Sequence, residues 1–144
     1  MSFPSNIRLG SKTTPIKKIK GLIARKGIMG QSHSFSDFSK RWKVLLDADM
    51  NAKDMADTML HETVHQIDAI KGLKLSEGQV EKLSTSLVYA MADKNANLRD
   101  VIEKINGVKG LKLSDNQIQK LVASLRYIIA HNPKYMSVIR KVRQ

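Results

Sequence analysis

The clearest pattern in the chain is a helical stripe of apolar residues that follows Asn51. Apolar residues recur there at spacings of three and four, which places them on one face of an α-helix. They are Met55, Met59, Leu60, Val64, Ile67 and Ile70. Gly72 comes after the last of them and predicts the end of this helix. Ser76 and Gln79 then have the spacing of a capping box, which predicts that a second helix begins there.

The chain before residue 51 favours short strands and loops. Residues 7–9 precede a turn signal at Gly10, and residues 41–47 are rich in strand-forming side chains. Residues 16–20 fit either a strand or the beginning of a basic helix, and residues 27–34 are typical of a loop or an edge strand. We therefore expect an α+β fold, with a small N-terminal β-sheet region followed by a mainly helical part.

The helical part of the sequence repeats itself. Residues 72–76, Gly-Leu-Lys-Leu-Ser, return at residues 110–114, and the apolar positions of the following helices match as well. Two units are too few for a solenoid, so duplication of a helical hairpin is the simpler explanation. We predict a first unit over residues 1–97 and a helical extension over residues 98–144 that repeats residues 60–105.

Composition limits the class of protein. The chain of 144 residues is 42% hydrophobic, enough for one compact core, and it has no cysteine. A disulfide framework and a zinc site made of thiolates are therefore excluded, and a cytoplasmic location is expected. No apolar stretch approaches the length of a transmembrane helix, and the first residues do not resemble a signal peptide, so no membrane partner is predicted.

The net charge of +12 is distributed unevenly. Acidic residues outnumber basic ones only within residues 54–93, and both flanks are basic. Basic flanks can attract nucleic acid through counterion release, so nucleic acid is a candidate partner. The alternative is that scattered lysines only keep the protein soluble, which the small number of aromatic residues favours.

The predicted first helix carries the sequence His-Glu-x-x-His. His61 and His65 lie one turn apart on the same face, where two imidazoles can bind one metal ion. Glu62 is displaced from His61 by about 100° around the helix, so its carboxylate can reach a water on the metal. This pattern predicts Zn²⁺ with Glu62 as general base. The alternative is a pair of solvated histidines on a polar helix face.

A catalytic zinc ion usually has a third protein ligand. A histidine six residues after His65 is absent, because Lys71 occupies that position. Glu77 begins the second helix and can complete the site if the two helices form an antiparallel hairpin. Asp68 lies one turn after His65 and is predicted to orient an imidazole from the second coordination shell. The alternative for Glu77 is a charge that stabilises the helix dipole.

Residues 58–68 together with residues 73–83 resemble the small predicted zinc metallopeptidases that bacteriophages encode, which are similar to minimal gluzincin-like and SprT-like proteins. The resemblance covers about residues 7–97 and implies a zincin-like core. It implies His61, His65 and Glu77 as metal ligands and Glu62 as the catalytic base. It also implies action in the cytoplasm of a host cell. Residues 98–144 extend beyond it.

The second unit keeps the apolar positions of the first and loses the predicted ligands. Arg99, Glu103 and Asp115 stand where the first unit has His61, His65 and Glu77. We therefore expect residues 98–144 to be structural, either covering the first unit or docking a partner.

The favoured function is hydrolysis of peptide bonds in a protein or peptide substrate. Glu62 would take a proton from the attacking water and pass it to the leaving nitrogen. Residues 44–46 would line the cleft and bind the substrate as an added strand. The alternative is a non-catalytic, phage-encoded protein that binds a host protein or nucleic acid. A third hypothesis combines the two, with basic flanks bringing a protease to DNA-bound proteins.

Overall fold

The computed structural model describes residues 3–19, 30–33 and 43–143. Its strands are β1 (Asn6–Leu9), β2 (Lys12–Ile19), β3 (Gly30–His33) and β4 (Lys43–Asp47). They form one sheet in the order β1-β2-β4-β3. β1 and β2 are antiparallel and joined by a tight turn in which Gly10 has a φ of 63°. β2 runs parallel to β4, and β3 runs antiparallel to β4.

Five α-helices follow the sheet. They are α1 (Ala52–Lys71), α2 (Glu77–Ala92), α3 (Leu98–Lys109), α4 (Asp115–His131) and α5 (Pro133–Arg140), with a final 3₁₀ turn at Lys141–Arg143. The predicted α+β class is confirmed. Of the ambiguous residues 16–20, residues 16–19 belong to β2, and residue 20 lies outside the described residues. None of the described helices combines the length and the apolar character that crossing a membrane requires.

The position of β4 corrects one expectation from the sequence. β4 pairs with β2 on one side and with β3 on the other, so its backbone hydrogen-bonding groups are used on both sides. The prediction that residues 44–46 bind a substrate as an added strand is therefore wrong. Among the described strands, β3 is the outer strand on that side of the sheet, and α1 packs against both β3 and β4.

A single apolar core joins the sheet to all five helices. Fully buried side chains include Leu46 in β4, Leu60 in α1, Leu87 in α2, Leu125 in α4 and Ile139 in α5. The core cluster is continuous across residue 97. Residues 98–144 thus share the core of the residues before them, and burial of this common apolar surface is what holds the helices on the sheet.

The duplicated hairpins have the same turn. Gly72 and Gly110 end α1 and α3 in the left-handed conformation, each with a φ of 64°. Ser76 and Ser114 then cap α2 and α4, each within a capping box that includes the glutamine three residues later. The predicted repeat is therefore visible as two helix pairs whose connections have equal geometry.

Two glutamines connect the hairpins, because each donates a hydrogen bond to the turn of the other hairpin. The Nε2 of Gln79 donates to the carbonyl of Leu111 at 2.7 Å, and the Nε2 of Gln117 donates to the carbonyl of Leu73 at 2.8 Å. The Oε1 of each glutamine accepts from the backbone of its own capping serine. Each hairpin turn is thus held by a side chain from the other copy.

Residues near the beginning of α5 form hydrogen bonds with β1 and with α1. The side-chain amide of Asn132 accepts from the backbone N–H of Arg8 at 2.7 Å and donates to its carbonyl at 2.9 Å. This pairing occupies the outer side of β1 as another strand would. Tyr135 is fully buried, and its hydroxyl lies 2.8 Å from the Oγ1 of Thr63 in α1. Thr63 in turn donates to the carbonyl of Met59.

We expect Tyr135→Phe to lower the free energy of unfolding by roughly 1–2 kcal/mol, because it leaves a buried acceptor with one partner fewer. Urea denaturation measures the loss. Tyr127→Phe is the matched control, since the hydroxyl of Tyr127 donates to the carbonyl of Gly10 in an exposed hydrogen bond at the longer distance of 3.3 Å. Tyr127→Phe should lower the free energy of unfolding by less than about 0.5 kcal/mol. Equal losses in the two variants would contradict the role assigned to the buried hydrogen bond.

Candidate metal centre

The hairpin of α1 and α2 brings Glu77 to the two histidines of His-Glu-x-x-His. The Nε2 of His61 lies 2.8 Å from Oε1 of Glu77, and the Nε2 of His65 lies 2.9 Å from Oε2. One carboxylate therefore spans both imidazoles. The ligand atoms that the three residues offer all lie within 4.8 Å of one another. The structure thus brings together the residues that the sequence predicted as metal ligands.

Local sequence fixes where Glu77 lies. Gly72 turns the chain out of α1, and its N–H donates to the carbonyl of Asp68. Ser76 caps α2, so Glu77 is the first residue of that helix and projects from a backbone position set by the cap. Three residues separate Gly72 from Ser76, which is too few for the carboxylate to reach another part of α1. The residues that form this turn therefore determine where the Glu77 side chain lies in the candidate site.

Glu77 forms a hydrogen bond with each of the two imidazoles, and burial affects the charge of His65. Burial lowers the pKa of His65, and the nearby carboxylate of Glu77 opposes that shift only in part. The neutral imidazole is thus favoured near neutral pH. An ionised carboxylate only accepts, so the Nε2 atoms that face it carry the protons. The two rings meet edge to face, with centroids 4.9 Å apart.

Solvent reaches this cluster from the side of Glu77. The side chains of His61 and His65 are 19% and 27% exposed, whereas that of Glu77 is 67% exposed. The histidines are therefore held within the packed hairpin while the carboxylate lies at the surface.

Glu62 is buried and titrates far from its usual range. Burial raises its pKa to about 7, and the negative charge of Glu77 adds to the effect. That interaction with Glu77 is consistent with the predicted position of Glu62 beside the ligands. A carboxyl with a pKa near neutrality can both take up and release a proton at physiological pH, which is what a general acid–base group requires.

Asp68 has a structural contact that the sequence did not indicate. Its Oδ1 accepts from the backbone N–H of Leu75 at 3.3 Å, within the hairpin turn. Asn106, at the equivalent position in the second hairpin, accepts from Leu113 in the same way. The contact therefore belongs to the turn in both copies. The charge of Asp68 also favours the protonated form of His65, and its role in orienting an imidazole stays a prediction.

Sequence reasoning missed Asp57, which lies one helical turn before His61. It is half-buried, and burial raises its pKa while the nearby His61 lowers it. Glu81, one turn after Glu77 on α2, acts electrostatically on Asp57 as well. Asp57 and Glu81 thus extend the group of acidic side chains on this hairpin beyond Glu77. The regular spacing of positions 57, 61 and 65 is the signal that could have identified Asp57.

The residues suit a zinc ion. Two imidazole nitrogens and one carboxylate oxygen form a donor set that Zn²⁺ prefers in catalytic sites, whereas Mg²⁺ and Ca²⁺ prefer oxygen ligands alone. Ligands of a tetrahedral zinc ion lie roughly 3.3 Å apart, given bonds of about 2.0–2.1 Å. The separations of 2.8 and 2.9 Å between Glu77 and the imidazoles are shorter than this, so zinc binding would require Glu77 to move outward and the facing Nε2 atoms to give up their protons.

The second hairpin offers an internal comparison. Arg99 and Glu103 occupy the positions of the two histidines, and the Nε of Arg99 donates to the carboxylate of Glu103 at 2.9 Å. Asp115 is the first residue of α4, as Glu77 is of α2. The second copy therefore keeps the hairpin geometry and replaces the imidazole pair by an ion pair within one helix.

We expect Glu62→Gln to stabilise the metal-free protein at pH 8. The carboxyl titrates near 4.5 in an unfolded chain and at about 7 in the folded one. Between these values the folded state holds a proton that the unfolded state releases, so stability falls as the pH rises through this window. The glutamine side chain does not titrate, so it avoids this loss of folding free energy, which amounts to roughly 3 kcal/mol.

Urea denaturation in the presence of a chelator, at pH 5 and at pH 8, measures the difference. The gain from Glu62→Gln should be present at pH 8 and largely absent at pH 5. Glu81→Gln, which changes an exposed carboxylate on α2, is the control and should have little effect at either pH. A gain that is equal at both pH values would show that the pKa of Glu62 is not raised.

Comparison with known proteins gives no further guide to this site. No family model matches the chain, and neither a curated protein nor a solved structure matches it. The case for a function therefore rests on the residues of the α1–α2 hairpin and on their geometry.

Proposed function

We propose that the protein is a zinc-dependent peptidase whose active site is the α1–α2 hairpin. The observation that carries this proposal is the placement of one carboxylate, that of Glu77, within 2.9 Å of both imidazoles of His-Glu-x-x-His. Glu62, buried beside them with a pKa of about 7, supplies the acid–base group that hydrolysis needs. The motif and this raised pKa support Glu62 as the base of the same site, as peptide hydrolysis requires.

Each residue has a distinct role in this mechanism. His61, His65 and Glu77 hold the zinc ion, which when bound polarises the scissile carbonyl and acidifies water. Glu62 accepts a proton from the attacking water and then donates it to the leaving nitrogen. Burial raises the pKa of this carboxyl to about 7 in the metal-free protein, which suits a group that both accepts and donates a proton near neutral pH.

The substrate class follows from the motif and from the resemblance to phage-encoded metallopeptidases. Both support a protein or peptide substrate, and the resemblance supports action in the cytoplasm of a host cell. Within the described residues, β3 pairs with β4 alone and packs against α1. An extended substrate would therefore pair with β3 rather than with β4.

We expect Glu62→Gln to lower cleavage by roughly 10²–10⁴-fold, because the amide cannot accept the proton of the attacking water. The assay is mass spectrometry of a mixture of unstructured peptides incubated with the zinc-loaded protein. The amide keeps the shape of the side chain, so the zinc content of the variant should equal that of the wild type.

Glu81→Gln is the matched control, since it removes one negative charge from the α2 side of the same hairpin and leaves Glu62 intact. Its cleavage rate should stay close to that of the wild type. Cleavage that survives Glu62→Gln would remove this residue from the role of base. A zinc-loaded wild type that cleaves nothing would favour the alternative, a protein that acts by binding alone.

The second hairpin allows a gain-of-function test. We expect the triple variant Arg99→His, Glu103→His and Asp115→Glu to bind a second zinc ion, because it places the same side chains on a hairpin with the same turn. Metal analysis after dialysis should give about two zinc ions per chain, as against about one for the wild type. Asp100→Glu, which adds no imidazole, is the control. An unchanged zinc content would show that the turn geometry alone does not create the site.

A further inference from the structure

The connections within the two helical hairpins lie side by side. Reciprocal hydrogen bonds of 2.7 and 2.8 Å hold each connection to the first turn of the helix that follows the other. Lys74 lies at the centre of the first connection and Lys112 at the centre of the second, and both side chains are exposed. Lys71 and Lys109, also exposed, end the helices that lead into them. Residues 71–76 and 109–114 are called the paired turns below.

The central lysine of each turn has an unfavourable backbone conformation. Lys74 and Lys112 each have a φ of 59°, and within the described part of the chain they are the two non-glycine residues with a positive φ. This left-handed conformation disfavours any residue with a Cβ atom, whereas glycine adopts it freely. Conformations of this kind occur preferentially at functional sites. The presence of lysine at both positions therefore indicates a role for its charge.

The two copies of the hairpin retain these lysines, although neighbouring exposed positions differ. Gly78 and Glu81 are exposed in the first copy, and the equivalent residues of the second, Asn116 and Gln119, are exposed as well. Those positions have thus changed between the copies, whereas both lysine positions of each paired turn are identical. Because the lysine side chains are exposed, packing in the core does not explain their retention.

Positive charge outweighs negative charge at the paired turns. The four lysines lie beside three carboxylates, those of Asp68, Glu77 and Asp115. Two of these are already engaged within the first hairpin, because Glu77 faces the imidazoles and Asp68 accepts from the backbone N–H of Leu75. A polyanion that approaches the paired turns therefore meets a net attraction.

The residue types of the paired turns favour the phosphate groups of a duplex. Neither turn contains arginine, which binds planar carboxylates in a bidentate manner, whereas lysine binds phosphate as a point charge. Neither turn contains an aromatic residue, on which the bases of a single strand would stack. Two equivalent pairs of lysines also suit a ligand whose negative charge repeats along its length.

An anionic membrane fits the paired turns less well. Proteins that bind a lipid surface combine basic side chains with apolar ones that enter the bilayer. Leu73, Leu111 and Leu113 of the paired turns are buried, and Val108 is the one well-exposed large apolar side chain beside these turns in the described chain. A single valine is a weak membrane anchor, so the charges of the lysines dominate this surface.

We infer that the paired turns bind the phosphate backbone of double-stranded nucleic acid, with Lys74 and Lys112 contacting it from neighbouring turns. Binding of this kind does not depend on base sequence, because phosphate contacts carry no sequence information. The site needs neither the zinc ion nor Glu62. It therefore stands or falls independently of the proposed peptidase function.

The test is fluorescence anisotropy of a short labelled DNA duplex of mixed sequence, titrated with the full-length protein at several salt concentrations. The double variant Lys74→Gln, Lys112→Gln should bind the duplex about 10–100-fold more weakly than the wild type does. The slope of log affinity against log salt concentration should become shallower by about 2, because two phosphate contacts are lost.

The double variant Lys94→Gln, Lys134→Gln is the matched control. It removes the same charge from two exposed positions that follow the far ends of α2 and α4. These helices have 16 and 17 residues, so each control position is about 24 Å or more from the paired turns along the helix axis. The control should lose much less affinity than the variant of the turn lysines.

The double variant Lys74→Gly, Lys112→Gly separates binding from folding. Glycine relieves the left-handed backbone, so the urea midpoint of unfolding should not fall. Affinity for the duplex should nevertheless drop as it does in the glutamine variant. A fall in the urea midpoint together with the loss of binding would show that the lysines serve the fold, and would overturn the inference.

Further results would also overturn it. Equal losses of affinity in the turn variant and in the Lys94→Gln, Lys134→Gln control would reflect net charge alone. Duplex binding that survives the loss of both Lys74 and Lys112 would place the contact elsewhere. Tighter binding of a single strand of the same length, or binding of phosphatidylserine vesicles in place of the duplex, would assign the paired turns to another ligand.

Discussion

The turn between α1 and α2 is the constraint on which the candidate site depends. His61 and His65 lie on one face of α1 by helical periodicity alone, but the third ligand comes from another helix. Glu77 reaches both imidazoles only because Gly72 ends α1 in the left-handed conformation and Ser76 caps α2 four residues later. Moving Glu77 by one position would rotate its carboxylate by about 100° away from the histidines. The proposed metal binding, the electrostatic effect of Glu77 on Glu62 and the proposed chemistry all depend on this connection.

The second hairpin explains how such a short turn is kept in place. It has the same αL glycine and the same capping box, and Gln117 from it donates to the carbonyl of Leu73 inside the first turn. The copy that lacks the candidate ligands thus supports the turn of the copy that carries them. At the positions equivalent to His61 and His65, the second hairpin has Arg99 and Glu103, which form an ion pair with each other. Duplication of one helical hairpin, followed by loss or gain of the candidate ligands in one copy, would account for the two hairpins.

Much of this architecture could be predicted because it is encoded locally. The apolar stripe of α1, both capping boxes and the spacing of the histidines are short-range patterns, and so is the place of Glu77 after its cap. The parts that could not be predicted depend on distant pairings. The inner position of β4, the hydrogen bond of Tyr135 to Thr63 and the pairing of Asn132 with the outer strand leave no periodic signal in the sequence. They follow from how the whole core packs.

Zinc content tests the central claim most directly. Wild-type protein free of any tag, loaded with Zn²⁺ and dialysed, should retain about one zinc ion per chain in elemental mass spectrometry. His65→Ala should lose it, and Glu77→Gln should weaken it, while Asp115→Asn in the second hairpin should leave it unchanged. Retention of zinc by His65→Ala, or its absence from the wild type, would contradict the account of α1 and α2 as a metal-binding hairpin.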